Sequence, residues 1–150
     1  HAALLTRVAE WLQPEARLFV HVFCHRQYVY AFEAADAGAW MARHFFSGGM
    51  MPSWDHLLRY QDHLRLDERW QVEGGHYART LRSWLRNLDG ARAEALPLLE
   101  ATYGRDRARL WLAYWRVFFM ACEETFALGG GQQYFVGHYL FRRREDGAAG

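Results

Sequence analysis

The sequence predicts an α/β fold that is rich in helix and short of strands. Three observations carry this. Residues 17–24 form a short, nearly continuous apolar run, as in a strand buried on both faces. Residues 66–73 (LDERWQVE) alternate: Leu66, Trp70 and Val72 point one way, Asp67, Arg69 and Gln71 the other, and Glu68 breaks the apolar face. That is the pattern of a half-exposed strand. Residues 106–128 carry Leu110, Tyr114, Val117, Ala121 and Thr125 at helical spacing, a stripe that Phe118 and Cys122 widen.

The other elements follow in chain order. In residues 2–12 (AALLTRVAEWL), Leu4, Val8 and Leu12 recur at helical intervals, and Pro14 stops the helix. Residues 38–46 read as a helix ended by Ser47-Gly48-Gly49, and Pro52-Ser53 opens a short helix reaching about Tyr60. Helices are expected over residues 76–88 and 91–103. Gly129-Gly130-Gly131 closes the long helix, and residues 133–142 (QYFVGHYLFR) make a last strand. A phosphate-cradling glycine loop follows a strand and opens a helix. This glycine run does the reverse, which makes it a helix C-cap and turn.

The chain has 150 residues, is 51% hydrophobic and 17% aromatic, and carries a formal net charge of +1. That is one domain spanning residues 1–150, with ample material for a core. The near-neutral balance argues against a nucleic-acid partner. All 18 basic residues are Arg, which reads as compositional bias. Cys24 and Cys122 are far apart and lie in apolar surroundings, as in a reducing, cytoplasmic compartment. No apolar run approaches the ~20 residues of a membrane span. Three strands are too few for an α/β sheet of normal width. A strand buried on both faces needs neighbours, so part of the sheet is expected to lie outside this stretch.

The run LFVHVFCHRQY (18–28) places His21, Cys24 and His25 where more valine would be expected. On a strand, His21, Phe23 and His25 share one face, and Val20, Val22 and Cys24 the other. Zinc needs three or four converging ligands, and no Cys-x-x-Cys or His-Glu-x-x-His pattern supplies them, so no metal is expected. The plain alternative is a strand end with hydrogen-bonded histidines. The functional alternative rests on position: the carboxyl ends of strands line the ligand crevice of open α/β sheets.

The segments LFVHVFCHRQYVYAFE, WMARHFFSGGMMPS, YQDHLRLDERWQVEGGHYARTLRSWLRNLD, WRVFFMACEETF and GGGQQYFVGHYLFRRR, in that order, closely resemble the C-terminal half of the cyclopropane-fatty-acyl-phospholipid synthase-like methyltransferases. Within that superfamily the chain looks most like the short branch that includes the coclaurine-type N-methyltransferases. The resemblance implies a class I, S-adenosylmethionine-dependent enzyme with a Rossmann-like seven-stranded sheet. Residues 17–24, 66–73 and 133–142 would be its fifth, sixth and seventh strands, and the helices between the fifth and sixth a cap over the substrate. The glycine turn and acidic residue that bind S-adenosylmethionine belong to the family's N-terminal half. No cofactor-binding residue is therefore expected in this chain, and the chain alone is expected to be inactive. The Glu-His pair that handles the amine in the N-methyltransferases would lie just upstream of His1.

In the cyclopropane synthases a bicarbonate ion beside the reacting carbon takes up a proton. By resemblance, His21, the backbone N–H of Phe23 and Tyr77 (of GGHYARTLRSW) would help to hold it, with His21 and Tyr77 as the catalytic pair and His25 near the rim. Imidazole, amide and phenol are convergent donors suited to a small anion. For Tyr77 the plain alternative is a first-turn aromatic packed on the sheet. The aromatics Trp40, Phe45, Phe46, Trp54, Tyr60, Trp111, Trp115, Phe118 and Phe119 are core material, some of which would line an apolar substrate cavity. Arg142-Arg143-Arg144 reads as a solvated strand end, with contact to acidic lipid headgroups as the alternative.

The first expectation is methyl transfer to an unsaturated fatty-acyl phospholipid, a lipid-biosynthetic step, with peripheral membrane contact. The alternative is N-methylation of a small-molecule amine. A rival of another class is a non-catalytic helical interaction module, and an exposed sheet edge would favour oligomers.

Overall fold

The computed structural model describes residues 1–33 and 40–144. The elements in order are α1 (Ala2–Trp11), β1 (Arg17–His25), β2 (Tyr30–Ala31), α2 (Trp40–His44), β3 (Met50–Met51), a 3-10 turn (His56–Arg59), β4 (Leu64–Val72), α3 (Gly74–Gly90), α4 (Arg92–Tyr103), α5 (Arg105–Gly131) and β5 (Tyr134–Arg143). They form an α/β fold in two compact units. One comprises residues 1–72 and 135 onward, and the other residues 73–134.

In the sheet unit the strand order is β1–β5–β4, with β4 and β5 antiparallel. Alternation groups the β1 side chains as the sequence predicts, but the strand is not buried on both faces: Phe19 is 51% exposed and His21 is exposed. Leu18, Val20 and Val22 pack against a core that contains Cys24, together with Leu5 and Ala9 of α1, Leu64 of β4, and Phe135, Tyr139 and Phe141 of β5. Each large side chain buried this way contributes about 1.5–3 kcal/mol of hydrophobic stabilisation. On α1 the buried stripe is Leu5 and Ala9, while Leu4 is 60% exposed. The inward face is thus one residue on from the expected Leu4, Val8 and Leu12.

The alternation expected on β4 is corrected by a bulge. Leu66 pairs with Phe141 and Glu68 with Leu140, which leaves Asp67 as the extra residue. A bulge shifts the phase of every side chain beyond it. Leu66 therefore faces the core with Phe141, whereas Trp70, opposite His138, is 41% exposed on the other face. Asp67 uses its position to meet arginines from both other strands, Arg142 at 2.8 Å and Arg17 at 3.7 Å. Arg142 is thus engaged in an ion pair, and the Arg144 N–H donates to the His63 carbonyl.

Two further expectations change. The start of the helix expected over residues 38–46 lies outside the described residues, and helix is seen over Trp40–His44. Residues 52–54 do not open a helix. The His25 N–H donates to the Pro52 carbonyl, and the Trp54 N–H to the His25 carbonyl, so this segment continues as a strap along the end of β1. Only His56–Arg59 turns, as 3-10 helix. Immediately before it, β3 pairs with β2 through Tyr30–Met51 and Ala31–Met50, a two-residue ladder too short to show alternation.

In the helical unit, α3 and α4 pack along α5. The buried residues are Ala78 and Leu81 of α3, and Ala108, Leu112, Cys122 and Phe126 of α5. The expected α5 stripe is rotated: Leu110 and Val117 are 43% and 44% exposed. Positions 108, 112, 122 and 126 keep one face inward because i, i+4 and i+14 fall within a narrow arc. Arg82 meets Glu123 at 2.6 Å, and Arg116 meets Asp89 at 2.6 Å. The glycine run closes the helix as expected, with non-helical backbone from Leu128. Gly131 has φ +81°, and a Cβ there would lie 2.5 Å from the Gly75 nitrogen, so only glycine fits. Among the described residues no helix is long and apolar enough to cross a membrane.

Candidate functional site

His21 projects from β1 on the face away from the core, and is exposed. Its Nδ1 lies 2.9 Å from Nε2 of His138 on β5, with the ring centroids 4.9 Å apart. Around this pair the sheet supplies aromatic walls. Phe19 meets His138 edge-on at 5.0 Å, Trp70 does so at 5.3 Å, and Phe23 lies edge-on to His21 at 6.5 Å. The His138 Nδ1 is buried and has no hydrogen-bond partner among the described residues. Burial, and then the neighbouring His21, hold the His138 pKa below its ordinary value, so this ring favours its neutral form.

His25 is 7% exposed rather than at a rim. Its Nδ1 accepts from the backbone N–H groups of Gln27 (3.0 Å) and Tyr28 (2.8 Å), and its ring stacks on Tyr28 at 5.0 Å. An unprotonated Nδ1 is required for both bonds, and burial lowers the His25 pKa in the same sense. The imidazole therefore shapes the HRQY turn.

Cys24 lies on the opposite face, fully buried. Its Sγ is 3.3 Å from the Tyr139 hydroxyl, which donates to the Trp54 carbonyl at 2.8 Å. Arg69 supports the same carbonyl at 3.2 Å and lies over the Trp54 ring at 4.5 Å. Burial raises the Cys24 pKa, partly offset by its hydrogen bonds with the Tyr139 side chain and the Gly137 backbone. Gly137 is needed here because an added Cβ would sit 2.8 Å from Tyr139, 2.9 Å from Cys24 Sγ and 3.0 Å from Trp54.

Tyr77 belongs to the helical unit. It occupies the first turn of α3, with Phe126 of α5 at 4.7 Å and Trp84 at 5.9 Å, both edge-on. Burial and the nearby Cys122 raise its pKa, so it stays a phenol and a donor. The structure thus joins His21 and Phe23 with Phe19, Trp70 and His138, three residues that the sequence reading did not assign to a site. The signal for His138 was a histidine inside GHYLF, but its partner is 117 positions away and is set by strand order. Among the described residues no three His, Cys, Asp or Glu side chains are grouped to hold a metal ion.

Comparison with known proteins adds a lineage to this geometry. The family model for mycolic acid cyclopropane synthetase matches residues 1–134. The chain belongs to that family. Within the curated proteins it is 31% identical over 144 residues to (S)-coclaurine N-methyltransferase of Papaver somniferum, covering 94% of this chain and 41% of that protein. It is 30% identical over 145 residues to the same enzyme of Thalictrum flavum subsp. glaucum, covering 94% and 40%. The chain therefore spans about two-fifths of the length of these relatives.

Among solved structures it matches coclaurine N-methyltransferase bound to N-methylheliamine and SAH with a TM-score of 0.85 and 29% identity, over 94% of this chain and 42% of that one. It matches the cyclopropane synthase MmaA2 of Mycobacterium tuberculosis with a TM-score of 0.66 and 20% identity, over 95% and 49%. The latter supports the fold alone. The α/β architecture is thus that of the C-terminal part of a class I methyltransferase, with β1, β4 and β5 as the fifth, sixth and seventh strands.

Proposed function

We propose that the protein, together with the N-terminal half that its relatives carry, transfers a methyl group from S-adenosylmethionine to the nitrogen of a small-molecule amine. The observation that carries this reading is the likeness to coclaurine N-methyltransferase, with TM-score 0.85 and 29% identity, against 0.66 and 20% for the cyclopropane synthase. It reverses the order expected from the carbonate-type residues, which placed the lipid first. In the reaction, the amine lone pair attacks the methyl carbon. The S–CH3 bond breaks with its electron pair going to sulfur, and a base then takes the ammonium proton. The sulfonium is already reactive, so the protein supplies alignment and charge stabilisation.

The glycine run is not a cradle for the methyl donor: it closes α5 and leads into β5, so its N–H groups do not head a helix. The donor's contacts are accordingly assigned to the relatives' other half. What the chain contributes is acceptor chemistry. His21 offers an exposed imidazole to an oxygen of the substrate or to a small anion such as bicarbonate. His25 supports it by fixing the end of β1. The aromatic walls suit a flat, apolar amine.

The experiment is to supply the full-length protein with methyl-labelled S-adenosylmethionine and two acceptors, a benzylisoquinoline-type amine and vesicles of a monounsaturated phospholipid. Label in the amine is the expected result. Label confined to the fatty-acyl chain would overturn the amine reading and restore the cyclopropane one. No label in either, with donor binding intact, would favour an interaction module.

A further inference from the structure

His138 has no place in the reading above, yet it makes the closest polar contact to His21. The two facing nitrogens, Nε2 of His138 and Nδ1 of His21, are 2.9 Å apart. Between them sits one proton, because two N–H groups would repel and two lone pairs would not bond. Which ring carries it is decided at the far side of His138. Its Nδ1 is buried and, among the described residues, has no hydrogen-bond partner. If the shared proton belonged to His21, neutral His138 would carry its own on that buried Nδ1, as an orphaned donor. Orphaned N–H groups are rarer in protein interiors than under-used acceptors. With the proton on Nε2 of His138, the buried Nδ1 is a bare lone pair among Phe19 and Trp70 rings.

We infer that His138 is a positioning residue that donates from Nε2 to His21 Nδ1, and so fixes neutral His21 as the Nε2–H tautomer. His21 then presents an N–H, not a lone pair, to the open face of the sheet. It is suited to an oxygen acceptor, either a substrate oxygen or a small oxyanion, and unsuited to taking the ammonium proton. This rests on the proposed methyl-transfer site for its functional half. The tautomer itself stands on the geometry alone, and the lowered pKa of His138 agrees with a ring that stays neutral.

The test uses full-length protein labelled with 15N in its histidines, read by long-range proton–nitrogen correlation of the imidazoles. The expected result is Nε2–H for both His21 and His138. Nδ1–H on His21 would overturn the inference. In H138Q, whose amide keeps a donor near the same place, the His21 tautomer is retained, and in H138L the Nδ1–H form gains population. An unchanged His21 tautomer in H138L would also overturn it. For turnover of the amine, H138L is expected to lose about tenfold in kcat/KM and H138Q no more than about threefold, the scale of one hydrogen bond. Equal activity in both variants, with the tautomer as expected, would remove the role at the site and leave the tautomer assignment standing. If the amine is not a substrate at all, the nitrogen spectra still decide the tautomer.

Discussion

The two faces of the three-stranded sheet are built from alternate residues of the same strands and do opposite things. On one face Leu18, Val20, Val22 and Cys24 of β1 meet Tyr139 and Phe141 of β5 in a sealed layer under α1. Its polar atoms are consumed internally: the Tyr139 hydroxyl serves Cys24 and the Trp54 carbonyl. On the other face Phe19, His21 and Trp70 are exposed beside His138. There an imidazole pair retains a nitrogen pointing outward, and the aromatic walls are incompletely covered. The closed face specifies the fold and the open face is available for chemistry, although only one residue of register separates them.

That division is broken most severely at Gly137. G137V places a branched side chain where Tyr139, Cys24 and Trp54 already touch. We expect a loss of about 3 kcal/mol in urea unfolding, at the upper end for overpacked cores. A loss below ~1 kcal/mol would mean that the closed face is loosely packed. Y139F is milder, because Arg69 still bonds the Trp54 carbonyl. It should cost about 1 kcal/mol, with methyl transfer little changed.

Chemical modification separates buried groups from the exposed sheet face without mutation. Cys24 and Cys122 are buried, and burial raises both thiol pKa values, that of Cys122 to about 11. Both should resist a thiol reagent until the protein unfolds, whereas the exposed His21 should react with an acylating reagent in the native state. The unfolded Cys122 thiol ionises from pH 9.0, while the folded one keeps its proton until about pH 11. The thiol contribution is complete below pH 9 and is lost as pH rises through that window. Stability constant across it would contradict the burial of these groups.

The same comparison explains what could be read from the sequence. On β1 the alternation is unbroken over residues 18–24, so which side chains share a face was legible, whereas the continuous apolar run read as buried on both faces and Phe19 and His21 are exposed. On β4 the bulge at Asp67 changes the phase, and a bulge is a property of the pair of strands rather than of one. Leu66 and Trp70 were therefore placed on one face when they lie on two. On α5, Leu110 and Val117 looked as apolar as the residues that are buried, and only packing against α3 and α4 chooses the arc. His21 was visible as a histidine at a strand's carboxyl end. His138 was not, because its significance depends on β5 lying next to β1 in the sheet. The role of His25 as a turn acceptor was within the plain alternative of hydrogen-bonded histidines.

In this reading His21 works at the open face without holding the fold together. The most direct measurement compares H21A with the parent in the full-length protein, reading kcat, affinity for S-adenosylmethionine and unfolding free energy side by side. We expect kcat for the amine to fall about 100-fold, with stability within about 0.5 kcal/mol and donor affinity unchanged. An unaltered kcat, or a loss of stability that matches the loss of activity, would contradict the account.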